Sequence, residues 1–176
     1  MGFRRTGRRI QTVQFVSQIV CNSGPLIALG LLGKLDILKS LFDEVFVPDA
    51  VQREIARGGL RFLGLEDFQQ AVWIRVASPK QDDELLAALL DGGEAAVINL
   101  ARERNIKLVL IDERKARKVA RDIYGLQPIG TARILVEAKK KNLLAEIASH
   151  FEKLRQEGYW IHEDIVQAAL REAGEI

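Results

Sequence analysis

Hydrophobic positions along this chain fall into two alternating patterns: short apolar runs, and longer stretches with an apolar stripe at helical spacing. Gln18-Ile-Val-Cys-Asn22 is a run of the first kind and reads as a strand. Ser23-Gly24-Pro25 follows, with proline where the first turn of a helix tolerates it. Leu26, Ile27, Leu29 and Leu31 make that helix apolar on most sides, hence buried, and Gly33 stops it. Leu35, Ile37, Leu38 and Leu41 give a second short helix, and Val45-Phe-Val47 a second strand. Pro48-Asp49 starts a helix with Val51 and Ile55 four apart, which stops at Gly58-Gly59. Residues 60–80 are the least regular part, with a short helix expected over Leu65 to Val72 and a strand over Trp73 to Val76. Asp82-Asp83-Glu84 crowd carboxylates onto the start of a helix running to Leu90, which suits the positive end of a helix dipole. Asp91-Gly92-Gly93 reads as a turn, after which Glu94 opens a helix with Val97, Ile98, Leu100 and Ala101 inside.

The sharpest signal lies in Lys107 to Arg117. Leu108 to Ile111 are consecutive apolar residues, a short buried strand that ends abruptly on Asp112 and Glu113. A helical pattern follows, with Ala116, Val119, Ala120 and Ile123 on one face and Arg114, Lys115, Arg117, Lys118 and Arg121 on the others. Pro128-Ile129 is a further short strand, and Gly130-Thr131 turns into a helix over 132–141. Two amphipathic helices, about 143–157 and 162–173, finish the chain on either side of Gly158-Tyr-Trp160. Strands alternating with helices predict an α/β fold with a parallel sheet covered on both faces and right-handed crossovers. No linker, internal repeat or low-complexity segment divides residues 18–176, which read as a single domain behind a basic arm, residues 1–17.

Composition changes the picture mainly at that arm. The net charge is +2, so nothing global demands a polyanionic partner. Arg4, Arg5, Arg8 and Arg9 stand in the first 18 residues with no acid, while the rest of the chain is nearly balanced. Four arginines without aromatic neighbours are weak evidence for binding, and the arm reads as a non-essential tail. Cys21 is the only cysteine, which excludes an intrachain disulfide and fits a buried core position. No apolar stretch reaches the roughly 18 residues of a membrane span. Ile10 to Ile19 is broken by Gln11, Thr12, Gln14, Ser17 and Gln18, a poor signal-peptide core. A cytoplasmic protein without a membrane partner is the expectation.

Candidate chemistry follows from where the polar residues interrupt the apolar pattern. Asn22 and Asp112 each end a hydrophobic strand, so in a parallel sheet both sit at the carboxyl edge, where open α/β folds bind ligands. Glu94 lies three residues before Val97 on a core stripe, and Glu54 three after Val51 on the flank of another. Four oxygen-bearing side chains on one rim would raise one another's proton affinity, and a hard divalent cation is the usual remedy. Such ions also activate water and stabilise in-line displacement at phosphorus. The plainer readings are specific too. Acids at helix starts are ordinary dipole partners, which alone would explain Glu94 and Glu113, and Glu54 would simply be solvated. Asp112 resists dismissal, because a carboxylate straight after buried residues is costly unless solvated, paired or metal-bound. Arg117 stands one helical turn after Glu113, placed either to pair with it or to orient a phosphate. The basic helix is either a solvated face or a track for a nucleic-acid backbone. Thr131 at a helix start presents either an anion site or an N-cap. His150 and His162 have no cysteine companions, which speaks against zinc. No phosphate-binding loop is present, and Gly92-Gly93 follows no strand.

At these residues the chain resembles the PIN-domain family, and within it the VapC-like branch formerly catalogued as a domain of unknown function. The matching blocks are Asn22-Ser-Gly-Pro-Leu-Ile-Ala-Leu29 with Gly33-Lys-Leu-Asp-Ile-Leu38, then Phe46-Val-Pro-Asp-Ala-Val51 with Glu54. Asp91-Gly-Gly-Glu-Ala-Ala96, Leu110-Ile-Asp-Glu113 with Ala116-Arg117, Ile129-Gly-Thr131 and Glu157-Gly-Tyr-Trp-Ile161 continue the series, covering about residues 18–174. The resemblance implies a three-layer α/β/α sandwich with a central parallel sheet and a Mg2+- or Mn2+-dependent ribonuclease site acting on single-stranded RNA. By block, Glu54, Glu94 and Asp112 match the family's catalytic acids. Asn22, Glu94, Asp112 and the auxiliary Glu113 match its metal site, with Ser23, Arg117 and Thr131 toward the nucleic-acid phosphate. It further implies the toxin of a toxin–antitoxin pair, with a cognate antitoxin and a homodimer as partners. Asn22 departs from the aspartate most PIN nucleases carry, so the alternative is a catalytically impaired PIN-like module that binds RNA or protein.

Overall fold

The computed structural model describes residues 17–58 and 65–176, so the basic arm, apart from Ser17, lies outside the described residues. Among the described residues five strands form one parallel sheet: β1 (Gln18–Cys21), β2 (Glu44–Pro48), β3 (Ile74–Ala77), β4 (Leu108–Leu110) and β5 (Gln127–Ile129). Their spatial order is β3-β2-β1-β4-β5. β1 is central, with Ile19 in register with Val45 on one side and Leu108 on the other. Successive side chains of a strand point to opposite faces. Yet Ile19, Val20 and Cys21 are all buried, as are Val109, Leu110 and Ile111. Burial of consecutive residues requires cover on both faces, which gives the three layers of an α/β/α sandwich. The edges are less protected, with Val76 of β3 and Gln127 of β5 exposed.

Helices α1 (Ser23–Leu31) and α2 (Asp36–Leu41) connect β1 to β2, and α3 (Asp49–Arg57) and α4 (Leu65–Gln70) lie between β2 and β3. Helices α5 (Glu84–Leu89) and α6 (Gly92–Glu103) lead from β3 across to β4, and α7 (Arg114–Asp122) joins β4 to β5. Helices α8 (Thr131–Lys140), α9 (Ala148–Gln156) and α10 (Glu163–Glu172) complete the chain. The apolar α1 and α6 carry much of the core, with Leu26, Leu29, Ile98 and Leu100 fully buried beside Ile134 and Leu135 of α8.

Several boundaries differ from the sequence reading, each for a local reason. α6 begins at Gly92, because the Asp91 side chain accepts from the Glu94 N–H at 2.8 Å and Glu94 returns a bond to the Asp91 N–H, a capping box that draws both glycines into the first turn. α5 begins later than Asp82, since Asp83 accepts from the N–H groups of Leu85 and Leu86 and so stands outside the helix as its N-cap. Ile123, expected on the buried face of α7, is the residue beyond its end and is half exposed. α9 starts at Ala148, not near 143, because Glu175 from the chain's end accepts from the Ile147 and Ala148 N–H groups.

Strand order reverses between β1 and β4: the chain moves outward from β1 through β2 to β3, then returns to β1's other side. Such a switch point opens a crevice at the carboxyl ends of the two strands. The residues that leave those ends are Asn22 and, one past Ile111, Asp112.

Candidate active site at the sheet's carboxyl edge

Reading across the sheet, its carboxyl edge carries α3 with Glu54 after β2, Asn22 after β1, Asp112 after β4 and Gly130-Thr131 after β5. The start of α6 reaches the same edge, because a Cβ on Gly93 would fall 2.8 Å from the Glu54 Cδ. With no side chain at 93 the Glu54 carboxylate rests against the turn bearing Glu94.

Two knots of side chains result. The first is acidic. Glu94 is buried, and its carboxyl is held above the usual glutamate range chiefly by burial, then by the negative charges of Asp91, Glu113 and Glu54. The plainer reading is realised alongside: one Glu94 oxygen completes the capping box, and Glu113 caps α7 by accepting from the Lys115 N–H at 3.1 Å. Glu54 is half-buried and Glu113 exposed.

The second knot surrounds Asp112. Its Oδ1 accepts from the Thr131 N–H at 2.7 Å and its Oδ2 from the Thr131 hydroxyl at 2.6 Å. The Tyr159 hydroxyl donates to Oδ2 as well. This answers the cost of a carboxylate after a buried strand: uncharged donors hold it. Thr131 is fully buried with both donors spent on Asp112, so its place is behind that carboxylate. Arg117 does not pair with Glu113; its Nη1 donates to the Ile111 carbonyl at 3.3 Å. Burial pulls its guanidinium pKa down, opposed by the nearby Asp112 charge. A Cβ on Gly130 would lie 2.7 Å from both Arg117 Nη1 and Asp112 Oδ1, so a glycine there leaves the space the two groups share.

Asn22 stands at the centre of the edge. Its backbone N–H bonds the Leu110 carbonyl at 2.9 Å, extending the β1–β4 pairing. Its side-chain Oδ1 is buried and has no hydrogen-bond partner among the described residues. A buried amide oxygen without a donor costs about 1–3 kcal/mol, so the position is one a donor or cation would relieve. Asn22 also precedes α1 without capping it by a side-chain bond, which leaves the first N–H groups of that helix, beginning at Ser23, uncovered by its N-cap.

Tyr159 is the residue of this edge that the sequence pattern did not mark as functional. It lies 47 positions from Asp112 in a turn between two helices, and only the quoted Gly-Tyr-Trp block hinted at it. Among the described residues no group of three or more His, Cys, Asp or Glu side chains is placed to hold one metal ion. The edge instead offers two carboxylates, Glu94 in the first turn of α6 and Asp112 after β4, and the amide oxygen of Asn22 at the end of the neighbouring β1. All are hard oxygen donors, the class that suits hard divalent cations. No helix among the described residues is long and apolar enough to cross a membrane.

A family model described as a PIN domain matches residues 18–175. Comparisons with curated proteins and with solved structures return no match. PIN domains have a nuclease-type fold, generally use divalent metal ions and generally bind RNA. The match spans the whole parallel sheet and every residue of the acidic edge just described, and this chain belongs to the PIN-domain family.

Proposed function

We propose that this protein is a divalent-metal-dependent ribonuclease that cleaves single-stranded RNA at the carboxyl edge of its sheet, and that Mg2+ or Mn2+ is its cofactor. The observation that carries this reading is the unpartnered, buried Oδ1 of Asn22 at the switch point, one strand away from Asp112. Asn22, Glu94 and Asp112 would hold the cation, with Glu113 as an auxiliary and Glu54 supporting Glu94 from α3. A Mg2+-type ion needs only one or two carboxylates and keeps several waters, which agrees with an edge lacking a three-acid cluster. When bound, the ion supplies charge neutralisation at phosphorus and lowers the pKa of water.

The chain's own residues then have separable tasks. Asp112, fixed by Thr131, keeps one orientation. Burial, and after it the acidic neighbours, disfavour the charged form of Glu94, and a bound cation would offset that penalty. Arg117, half-buried beside Asp112, would meet an RNA phosphate, and Ser23 with the first N–H groups of α1 would meet it from the other side. Arg114 and Lys115 on exposed faces of α7 extend the positive track. By likeness to its branch, the protein would act in the cytoplasm as the toxin of a toxin–antitoxin pair, as a homodimer of single domains spanning 18–176, with the arm 1–17 dispensable.

A second reading is favoured by one residue. Asn22 adds no charge where most family members have a carboxylate, so the same edge would serve a module that binds RNA or protein without cutting. Labelled single-stranded RNA with Mn2+ separates the two. The nuclease reading expects cleavage that falls on the order of 100-fold or more in Asp112→Asn. RNA binding unaffected by that change, with no cleavage by either form, supports the binding module instead.

A further inference from the structure

The Asp112 carboxylate has about four lone-pair sites across its two oxygens. Oδ2 accepts from both the Thr131 hydroxyl and the Tyr159 hydroxyl, which occupies both of its sites. Oδ1 accepts from the Thr131 N–H alone. Arg117, which feels the Asp112 charge, makes no ion pair with it among the described residues, and its Nη1 turns to the Ile111 carbonyl. One acceptor site on Asp112 is therefore left, on Oδ1. Thr131 by itself would fix the carboxylate plane, since it bonds both oxygens. Tyr159 adds nothing to that orientation; what it does is close Oδ2.

We propose that Tyr159 is a specificity-determining residue for the cation: by closing Oδ2 of Asp112 it leaves a single carboxylate oxygen for a metal and so favours Mg2+ or Mn2+ over Ca2+. This rests on the metal-dependent reading above. The chemistry is general. Ca2+ takes six to eight oxygens and readily uses both oxygens of one carboxylate, whereas Mg2+ demands compact octahedral geometry and keeps its waters. An aspartate with one open site serves the second demand and not the first. The hydroxyl reaches Asp112 from the turn between α9 and α10 and would lie 3.1 Å from a Cβ on Gly24, so it sits between the start of α1 and the end of β4. Tyr159 and Trp160 also line a groove of about 230 Å³ with Phe151 and Val166, so the discriminating hydroxyl is held by the packing of the last two helices.

The test is equilibrium binding of Ca2+, Mg2+ and Mn2+ to the full chain, measured by calorimetry on wild type, Tyr159→Phe, Thr131→Val and Asp112→Asn. Tyr159→Phe removes only the donor and keeps the ring, and it should raise Ca2+ affinity relative to Mn2+ roughly tenfold, the worth of one hydrogen bond to a charged group. Thr131→Val opens Oδ2 from its other side and should move the same ratio in the same direction, which keeps the test decisive if the tyrosine variant does not fold. Mn2+ binding that depends on Asp112 but a Ca2+/Mn2+ ratio unchanged in both variants overturns this assignment alone. Wild type that binds no divalent cation, or binds identically in Asp112→Asn, overturns the metal-dependent reading on which it rests.

Discussion

Glu94 shows how one residue serves both stability and function, and why the two pull apart. Its side chain caps α6 and at the same time stands buried among Asp91, Glu113 and Glu54. Because the folded carboxyl binds its proton more tightly than an unfolded glutamate, folding takes up protons between the two pKa values. The stabilising contribution is complete below the ordinary glutamate range and is lost as pH rises through the folded value. In metal-free protein with a chelator present, Glu94→Gln keeps the cap and removes the charge. Its Tm at pH 7 should therefore exceed wild type by a few degrees, about 2–4 °C for each kcal/mol in a domain of this size. A thermal melt at pH 7 and again near pH 4 checks it, since the advantage should shrink at the lower pH; an unchanged or lower Tm at pH 7 would count against a penalty on the buried charge. At this scale the sequence was informative where a polar residue broke an apolar run. Asn22 and Asp112 were legible because each follows a strand whose burial the pattern had already fixed. Tyr159 was not, since nothing in Gly158-Tyr-Trp160 says which carboxylate the hydroxyl will meet. Thr131 was legible as a helix start but not as the partner that spends both donors on Asp112.

Elements were readable where their own side chains determine them and misread where a distant residue does. α1 and α6 announced themselves by apolar content, and the strands β1, β2 and β4 by consecutive buried residues. The start of α9 is set instead by Glu175, which accepts from the Ile147 N–H at 2.7 Å and the Ala148 N–H at 3.0 Å, and receives Lys139 Nζ of α8 at 2.8 Å. A carboxylate near the end of the chain thus fastens α9 and α8 together, and no window around residue 148 contains it. Glu175→Ala should cost about 1 kcal/mol, the usual worth of a lost helix cap, read as a lower midpoint in urea unfolding with the slope unchanged. Loss confined to hydrogen-exchange protection of α9 would place the effect in that helix; no change in either would show the contact to be idle.

For the whole molecule, the arrangement that matters is topological. Strand order 3-2-1-4-5 puts the reversal between β1 and β4, and that single fact brings residues 22 and 112 to one crevice. Alternation of strands and helices predicted the parallel sheet and its double cover, and the block pattern predicted the family. The depth of convergence was not in the pattern: the acids divide into a knot around Glu94 and another around Asp112, and the asparagine that ends the central strand has an oxygen without a partner among the described residues. For the edge to act as a metal-dependent site, one cation must join those two knots. Anomalous diffraction from crystals soaked in Mn2+ tests this most directly. It should show a peak on the carboxyl edge, at about 2.0–2.3 Å from Asn22 Oδ1 and from oxygens of Asp112 and Glu94. No peak there, in crystals of protein that still cleaves RNA with Mn2+, would contradict the account.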